Sequence, residues 1–373
     1  MYQDVFILGA GGKVGKTLVK QIYEKGDCDE VVHKNPTRIV GLAEQDCFHF
    51  DSAGISKDLT EQFCNKTGNY QKMEGLNSLL DFVLEKYKFL NERRMLVFAD
   101  VTNARKEIGR FHIRVIRETP FGIVTSNKHP LVSCSFNEFQ KLTREPTRYG
   151  YRCSVMAGAE AVDKIRDLRD LGDLPIEIFG CFSGTLGYIC TEMKKGRKLS
   201  EIVMEARKLG YTEPHPADDL DGGDVERKII ILSRTAGFDV SNARVQRTSF
   251  IPDEYLIEKN IEMFLNNLNS LDAPFSERVS RAKDKNEVLR YIAKFDNSTE
   301  HQSITVGLNE VSRESQLGFL NGTANKVVIR TKTYNSLPYC VEAPGAGLEI
   351  TAQNIRRDLL DQLVNRVISF QCK

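Results

Sequence analysis

An α/β fold in two domains is what this sequence predicts, and three observations predict it. The chain opens on a short apolar strand, a glycine turn and an amphipathic helix. Strand-length apolar runs and helical periodicity then alternate as far as Thr125. From about Thr147 the composition changes, with no internal repeat or low-complexity tract. At 373 residues, 41% hydrophobic and 28% charged, the chain can bury a substantial core and forms two domains more naturally than one.

The first strand runs from Val5 to Leu8 and leads into Gly9-Ala10-Gly11-Gly12-Lys13-Val14-Gly15. Val14, Leu18, Val19 and Ile22 then recur at helical spacing. Strand, glycine turn and helix form the start of a Rossmann-like dinucleotide-binding unit, in which backbone N–H groups and the helix N-terminus receive pyrophosphate. The spacing is one residue off the usual G-x-G-x-x-G, so the turn is longer or Gly12 replaces Gly11. A structural turn without a ligand is the alternative. Arg38 to Ala43 reads as a second strand ending at Glu44, a candidate acceptor for an adenosine ribose hydroxyl. The polar insertion from Gly26 to Pro36 accounts for its distance from the first glycine. An acid there favours a hydroxyl over a ribose phosphate, but NAD and NADP both stay open.

Leu76, Leu79, Leu80, Val83 and Tyr87 mark an amphipathic helix, and Met95 to Ala99 the next strand. Asp100-Val101-Thr102-Asn103 follows at its C-terminal end, where open parallel sheets bind ligands; helix capping is the ordinary alternative. Gly122 to Thr125 is a further strand, closed by Ser126-Asn127-Lys128-His129-Pro130. Lys128 is a candidate active-site cation, against the alternative of a surface lysine in a turn. His129 is less diagnostic, since a single histidine without placed partners is more often structural.

Beyond Thr147, Ile176 to Phe182 reads as a sheet strand ending at Ser183-Gly184-Thr185. A glycine beside two hydroxyls permits close approach of a small polar ligand, and a capped helix start explains it equally well. A helix around Leu199 to Leu209 ends at Gly210 and delivers the chain to GYTEPHPADDLDGGDVERK, Gly210 to Lys228. Here Glu213, Asp218, Asp219, Asp221 and Asp224 crowd around Pro214, Pro216, Gly222 and Gly223. A solvated charged face needs no such backbone punctuation, whereas a loop aiming carboxylates into a cleft uses it. The run Val225, Ile229, Ile230, Ile231, Leu232 starts a helix near Asp224 and places Asp224 and Lys228 on one face. An exposed ion pair is the ordinary alternative.

Composition narrows the function classes. A formal net charge of +1 gives no global attraction to nucleic acid or anionic membrane. Nine cysteines, scattered from Cys28 to Cys372 without zinc-like spacing, read as reduced thiols. No signal-like segment opens the chain and no window approaches the roughly 20 apolar residues of a membrane span, so a cytoplasmic protein is expected.

Taken in order, GAGGKVG, DVTN, TSNK, CFSGTLGYI, GYTEPHPADDLDGGDVERK and APGAGLEITA resemble the homoserine dehydrogenase family through almost the whole chain. The resemblance implies reversible NAD(P)-dependent interconversion of L-homoserine and L-aspartate 4-semialdehyde, in the route to threonine, methionine and isoleucine. It implies a dinucleotide-binding domain at 1–149, an α+β substrate-binding, catalytic and dimerisation domain at 150–337, and a segment 338–373 returning to the first domain. Within it, Lys228, Asp224 and Lys128 match the catalytic groups, and Glu213, Asp219, Gly184 and Thr185 the substrate-binding groups. Gly9, Gly11, Gly12, Lys13, Val14, Glu44, Thr102, Lys128 and Gly347 would face NADP or NAD. A homodimer is implied, without nucleic acid or membrane partner.

Two features depart from the family's pattern. Arg152 stands where relatives commonly carry a carboxylate in a monovalent-cation loop, ahead of Val155, Ala157 and Ala159 as carbonyl donors. A guanidinium there opposes a cation, so no sodium-type metal site, or an altered one, is expected. The lengthened glycine turn leaves the cofactor contacts open by one residue. No kinase-like or C-terminal regulatory segment is evident, so the resemblance is to a short, monofunctional form. The alternatives are a reductase of another amino-acid-derived aldehyde, which leaves the acidic loop unexplained, and a catalytically silent NAD(P)-binding regulatory protein.

Overall fold

The computed structural model describes residues 2–33, 36–87, 94–298 and 301–371, with the backbone alone from 363 onward. Its contacts divide the chain into two units, Met1–Gly158 with Gly347–Lys373, and Ala159–Ala346. The divisions expected after 149 and 337 each fall nine residues later. At the second crossing the reason is a strand, Tyr339–Pro344, which pairs in the second unit's sheet before the chain leaves it.

The first unit is built on β1 (Tyr2–Leu8), β2 (Thr37–Ala43), β3 (Cys47–Phe50), β4 (Gln71–Lys72), β5 (Arg94–Asp100), β6 (Gly122–Thr125) and β7 (Tyr149–Gly150). Their order in the sheet is β4-β3-β2-β1-β5-β6-β7. β2, β1, β5, β6 and β7 are parallel, and β3 and β4 extend the β2 edge antiparallel. Such strands are covered on both faces, which is why Val5 to Leu8 and Met95 to Ala99 read as unbroken apolar runs. At the buried start of β1, Asp4 is held by Arg38 at 2.8 Å and Arg94 at 2.8 Å. Chain order reverses between β1 and β5, so Gly9 and Thr102 leave the sheet at its switch point, the usual ligand crevice of an open α/β sheet.

Leu18, Val19 and Ile22 of the first helix, Lys13–Glu24, bury one stripe against this sheet. The C-terminal helix, Leu348–Gln371, adds Ala352, Ile355 and Leu359 to the same core. Polar ties fix it there: Arg356 clamps the Asp27 carboxylate at 2.6 and 2.5 Å, and Gln21 Nε2 donates to the Glu349 carbonyl at 3.0 Å.

The second unit holds β8 (Glu177–Cys181), β9 (Arg244–Arg247), β10 (Glu287–Asp296), β11 (Ser303–Ser312), β12 (Ala324–Arg330) and β13 (Tyr339–Pro344). Their order is β13-β12-β8-β10-β11-β9, antiparallel apart from the β11–β9 pair. Helix Gly184–Met193 packs on β10 and β12, and helix Gly223–Thr235 on β8 and β10. Hence both the Ser-Gly-Thr turn and the acidic loop open onto helices seated on one sheet.

Candidate functional site

In the first unit the site is made almost entirely of backbone. Gly9 leaves β1 at φ +85°, a left-handed conformation natural to glycine, and its N–H donates to Ala43 O at 2.8 Å. A Cβ on Gly15 would lie 2.2 Å from the Gly9 carbonyl, so the helix sits on the turn as closely as the chain allows. Gly15 thus performs the close-packing role of the last glycine in the fingerprint, one position later than usual. Gly12 is the N-cap of the twelve-residue helix Lys13–Glu24. It supplies no side-chain cap, and the first turn, with Lys13 and Val14, carries no acid. A helix start of this kind presents N–H groups and a partial positive charge to an anion.

Glu44 behaves differently from a residue held open for a ribose. Its Oε1 accepts the Gly11 N–H at 2.6 Å, tying the end of β2 to the turn. With the Gly12 N–H donating to Gly9 O at 3.1 Å, both amides of the Gly11-Gly12 pair are engaged within the unit. At the other side of the switch point, the Thr102 hydroxyl turns inward. It donates to Asp100 Oδ1 at 2.6 Å and accepts the Ala104 N–H at 3.3 Å. Its methyl faces the glycine turn instead, 3.1 Å from where a Gly9 Cβ would stand. Thr102 is not a helix cap either, because the following helix begins at Ile108 after Glu107.

Lys128 is half-buried, and its carbonyl accepts the N–H groups of Leu131 at 3.0 Å and Val132 at 3.2 Å. Its backbone is thereby fixed at the start of the short helix His129–Val132. The His129 N–H donates to Asn127 Oδ1 at 3.0 Å. Gly347 joins the unit at φ +145°, and its carbonyl accepts the Thr351 N–H at 2.9 Å, opening the C-terminal helix.

Arg152 points its guanidinium at that helix, with Nη1 2.6 Å from Asp358 Oδ1 and 2.8 Å from Asp361 Oδ2. Met156 and Ala157 follow at φ +51°, and the Ala157 carbonyl accepts Asn354 Nδ2 at 2.9 Å. Val155 O accepts the Gly158 N–H at 3.2 Å, and in the second unit Ala159 O accepts the Ala161 N–H at 2.7 Å. Among the described residues, no three His, Cys, Asp or Glu side chains gather to hold a metal ion.

In the second unit the site is made of side chains. The acidic loop contains a short helix, Ala217–Leu220, before a longer one starts at Gly223. Gly222 joins them at φ +73°, where a Cβ would fall 1.8 Å from the Tyr291 hydroxyl. Asp221 Oδ1 accepts the Gly223 N–H at 2.7 Å, so this acid serves the helix start. One turn on, Asp224 Oδ2 lies 2.9 Å from Lys228 Nζ, the i,i+4 pair the spacing predicts. Lys228 also donates to the Phe182 carbonyl at 2.6 Å and is only 8% exposed. The surface-pair alternative therefore fails: this ammonium is buried and aimed by two acceptors.

Asp219 is half-buried, unlike the exposed Glu213 and Asp218. Its Oδ2 accepts the Glu213 N–H at 2.7 Å and its Oδ1 the Thr185 hydroxyl at 3.0 Å. Burial pushes its carboxyl up to about 6; the two hydrogen bonds oppose the shift, and the charges of Glu213 and Asp224 add to it. Glu213 itself is exposed. Thr185 Oγ1 also lies 2.5 Å from Tyr211 O, so its one proton is shared between that carbonyl and Asp219. Ser183 caps that helix by accepting the Leu186 N–H at 3.2 Å, while Gly184 packs beside Thr323, with a would-be Cβ 3.4 Å away. Gly184, Thr185, Glu213, Asp219, Asp224 and Lys228 are thus gathered around the end of β8. Sequence reasoning missed the Phe182 carbonyl, because a main-chain acceptor has no signature in residue type.

The free thiols are Cys28, Cys47, Cys64, Cys134, Cys153, Cys181, Cys190 and Cys340; Cys372 lies outside the described residues. Burial pushes the Cys181 and Cys190 thiols up to about 12 and about 11, so they are inert packing groups. No helix among the described residues is long and apolar enough to cross a membrane.

Comparison with known proteins follows this geometry. The family model described as homoserine dehydrogenase matches residues 163–360. A bifunctional aspartokinase/homoserine dehydrogenase of Daucus carota is 30% identical over 353 residues, 94% of this chain and 37% of its own length. The chain therefore spans little more than a third of that relative. The homoserine dehydrogenase of Saccharomyces cerevisiae is 33% identical over 260 residues, 68% of this chain and 71% of its own. Among solved structures, a hyperthermophilic archaeal homoserine dehydrogenase in complex with NADPH superposes with a TM-score of 0.71 at 21% identity, over 98% of each chain. At that identity the likeness speaks for the fold. The family model, reaching from the second unit into the C-terminal helix, and the yeast relative together establish that this chain belongs to the homoserine dehydrogenase family.

Proposed function

We propose that this chain catalyses the reversible, NAD(P)-dependent interconversion of L-homoserine and L-aspartate 4-semialdehyde, as a cytoplasmic homodimer in threonine, methionine and isoleucine biosynthesis. The observation that carries the reading is the buried Lys228 ammonium, held between Asp224 and the Phe182 carbonyl at the end of an acid-rich loop. Alcohol oxidation removes a hydride from carbon and a proton from oxygen, so the site needs a group that holds or passes that proton. Lys228 fits this role: as an amine it takes the hydroxyl proton, and as an ammonium it returns the proton to the aldehyde oxygen when hydride is delivered. Asp224 orients it.

Glu213 and Asp219 bind the substrate ammonium, and Gly184 and Thr185 its carboxylate end. Lys128 is the second catalytic cation. The nicotinamide cofactor, whose ring accepts or donates the hydride, would be held by the turn of Gly9, Gly11, Gly12, Lys13 and Val14 at the phosphates. Glu44, Thr102, Lys128 and Gly347 are its further contacts. The uncapped, acid-free helix start and the close seat of Gly15 on Gly9 fit a pyrophosphate. We assign dinucleotide binding to the first unit, and substrate binding and dimerisation to the second. The Arg152 guanidinium, paired with Asp358 and Asp361, supports turnover without a monovalent cation.

The test follows NAD(P)H absorbance with purified protein, L-aspartate 4-semialdehyde and each cofactor in turn, for wild type and Lys228→Ala. Wild-type turnover should fall by about 10²- to 10⁴-fold in the variant, with cofactor affinity unchanged. Cofactor binding without turnover of this or related aldehydes would instead point to a silent regulatory protein.

A further inference from the structure

Beneath the switch point of the first unit lies a buried polar chain that the reaction above does not use. Asp100 closes β5, and Asp100, His112 and Tyr149 are each 0% exposed. Asp100 Oδ1 accepts the Thr102 N–H at 3.0 Å and the Thr102 hydroxyl at 2.6 Å. Its Oδ2 accepts the Thr125 hydroxyl at 3.2 Å and lies 3.2 Å from His112 Nε2. That last approach is close but falls outside hydrogen-bond geometry. On the far side of the ring, His112 Nδ1 is 2.7 Å from the Tyr149 hydroxyl on β7.

The same carboxylate governs two loops. Thr125 Oγ1 accepts the Asn127 N–H at 2.9 Å, and Asn127 Nδ2 donates to Ala104 O at 2.9 Å and to Thr102 Oγ1 at 3.4 Å. Asn127 Oδ1 accepts the His129 N–H at 3.0 Å. Residues 102–104 and 127–129, which carry Thr102 and Lys128, therefore hang from one buried anion through a continuous set of hydrogen bonds. An isolated buried carboxylate is costly, and it stays charged only where donors and a cationic or polarised partner surround it.

The proton inventory assigns the imidazole its part. Burial, with the Asp100 charge second, holds the Tyr149 phenol well above its ordinary pKa, so it remains neutral. A neutral phenol has one proton to give; donated to Nδ1, it leaves the ring proton on Nε2, facing Asp100.

We propose that His112 is a positioning residue: backed by Tyr149, it fixes the Asp100 carboxylate, and through it sets the Thr102 loop and the Asn127–Lys128 turn in register for the cofactor. The proposal rests on the dehydrogenase reading. His112→Phe keeps an aromatic ring and removes both nitrogens, whereas His112→Gln keeps a donor that can reach Asp100. Measured by NAD(P)H fluorescence titration and by steady-state kinetics, His112→Phe should bind NAD(P)H about tenfold more weakly and lose about tenfold in kcat, since small misplacements near a reacting group cost this much. KM for the semialdehyde should stay unchanged, and His112→Gln should recover most of the loss.

A His112→Phe protein that melts at lower temperature but keeps wild-type cofactor affinity and kcat would overturn the proposal, leaving the cluster a scaffold. Should His112→Phe fail to fold, His112→Gln and Tyr149→Phe are read on the same split: smaller losses in affinity and kcat support the proposal, and wild-type values overturn it. If the wild type binds cofactor but turns over no aldehyde, the dehydrogenase reading fails, and the titration arm still judges His112.

Discussion

The glycine turn of the first unit and the acidic loop of the second are each suited to a charged group of a small ligand, and they are built in opposite ways. The turn is backbone: Gly9, Gly12 and Gly15 matter for the atoms they lack, and the favourable charge is the start of a helix. The loop is side chain: Asp219, Asp224 and Lys228 matter for the atoms they carry, and each is aimed by a partner. A backbone site is broken by adding an atom, and a side-chain site by removing one. Lys228→Ala, the test above, belongs to the second kind and is the most damaging change expected.

Gly15→Val should be next in effect and would break the comparison if harmless. Its Cβ would stand 2.2 Å from the Gly9 carbonyl, so helix and turn must separate. Overpacking of this sort costs about 1–3 kcal/mol in stability. Cofactor affinity should fall by about 100-fold, since the phosphate-facing amides move together. Thermal melts and NAD(P)H titration measure the two effects; homoserine affinity in the second unit should not follow them.

Asp219→Asn sharpens the other half. It keeps the shape and removes the charge, so KM for homoserine should rise about tenfold, the loss of one charge-assisted contact, at unchanged cofactor affinity. The pH profile carries the finer test. With the folded carboxyl raised to about 6, lowering the pH through 6 protonates it, and the wild-type KM should climb where that of Asp219→Asn stays flat. Stability runs the other way. Folding favours the protonated form over the ordinary 3.8, so this contribution is full below 3.8 and is lost as pH rises through about 6. Melts at pH 5 and pH 7 should therefore differ more for the wild type than for the variant.

Glu44→Gln should be the gentlest. The amide oxygen still accepts the Gly11 N–H, so the turn holds, and only the charge at the end of β2 disappears. The ratio of kcat/KM for NADPH over NADH should rise by roughly threefold, in keeping with an energy below about 1 kcal/mol for a partly exposed charge. No change in that ratio would remove Glu44 from cofactor choice and leave it as a structural tie.

How far the sequence could be read follows from which contacts are local. Leu76 to Tyr87 forms the helix its periodicity predicts, and Gly122–Thr125 the strand. Met95 to Ala99 gains one residue at each end. The Asp224–Lys228 pair was legible because four residues along a helix bring two side chains together whatever surrounds them. By contrast β3, β4 and the strands of the second sheet from β9 onward went unread: even where β2–β3, β10–β11 and β12–β13 pair with chain neighbours, strand formation is set by packing against the sheet rather than by a local pattern. Asp219 and Asp218 look alike in sequence, yet one carboxylate is enclosed by Thr185 and the Glu213 amide while the other is exposed.

By itself, then, the sequence determined the α/β class, the strand-turn-helix opening, the acid–lysine helix and the family resemblance. Each rests on covalent order or on neighbours within about two helical turns, and local sterics and periodicity enforce these in any context. Tertiary structure decided the rest: that Glu44 ties down Gly11, that the Thr102 hydroxyl turns inward to Asp100, and that the Phe182 carbonyl aims Lys228. It also decided that His112 and Tyr149 close a buried chain behind the loops at 102–104 and 127–129. Those choices depend on which buried polar group finds which partner, and burial is a property of the packed chain that no short stretch of residues possesses alone.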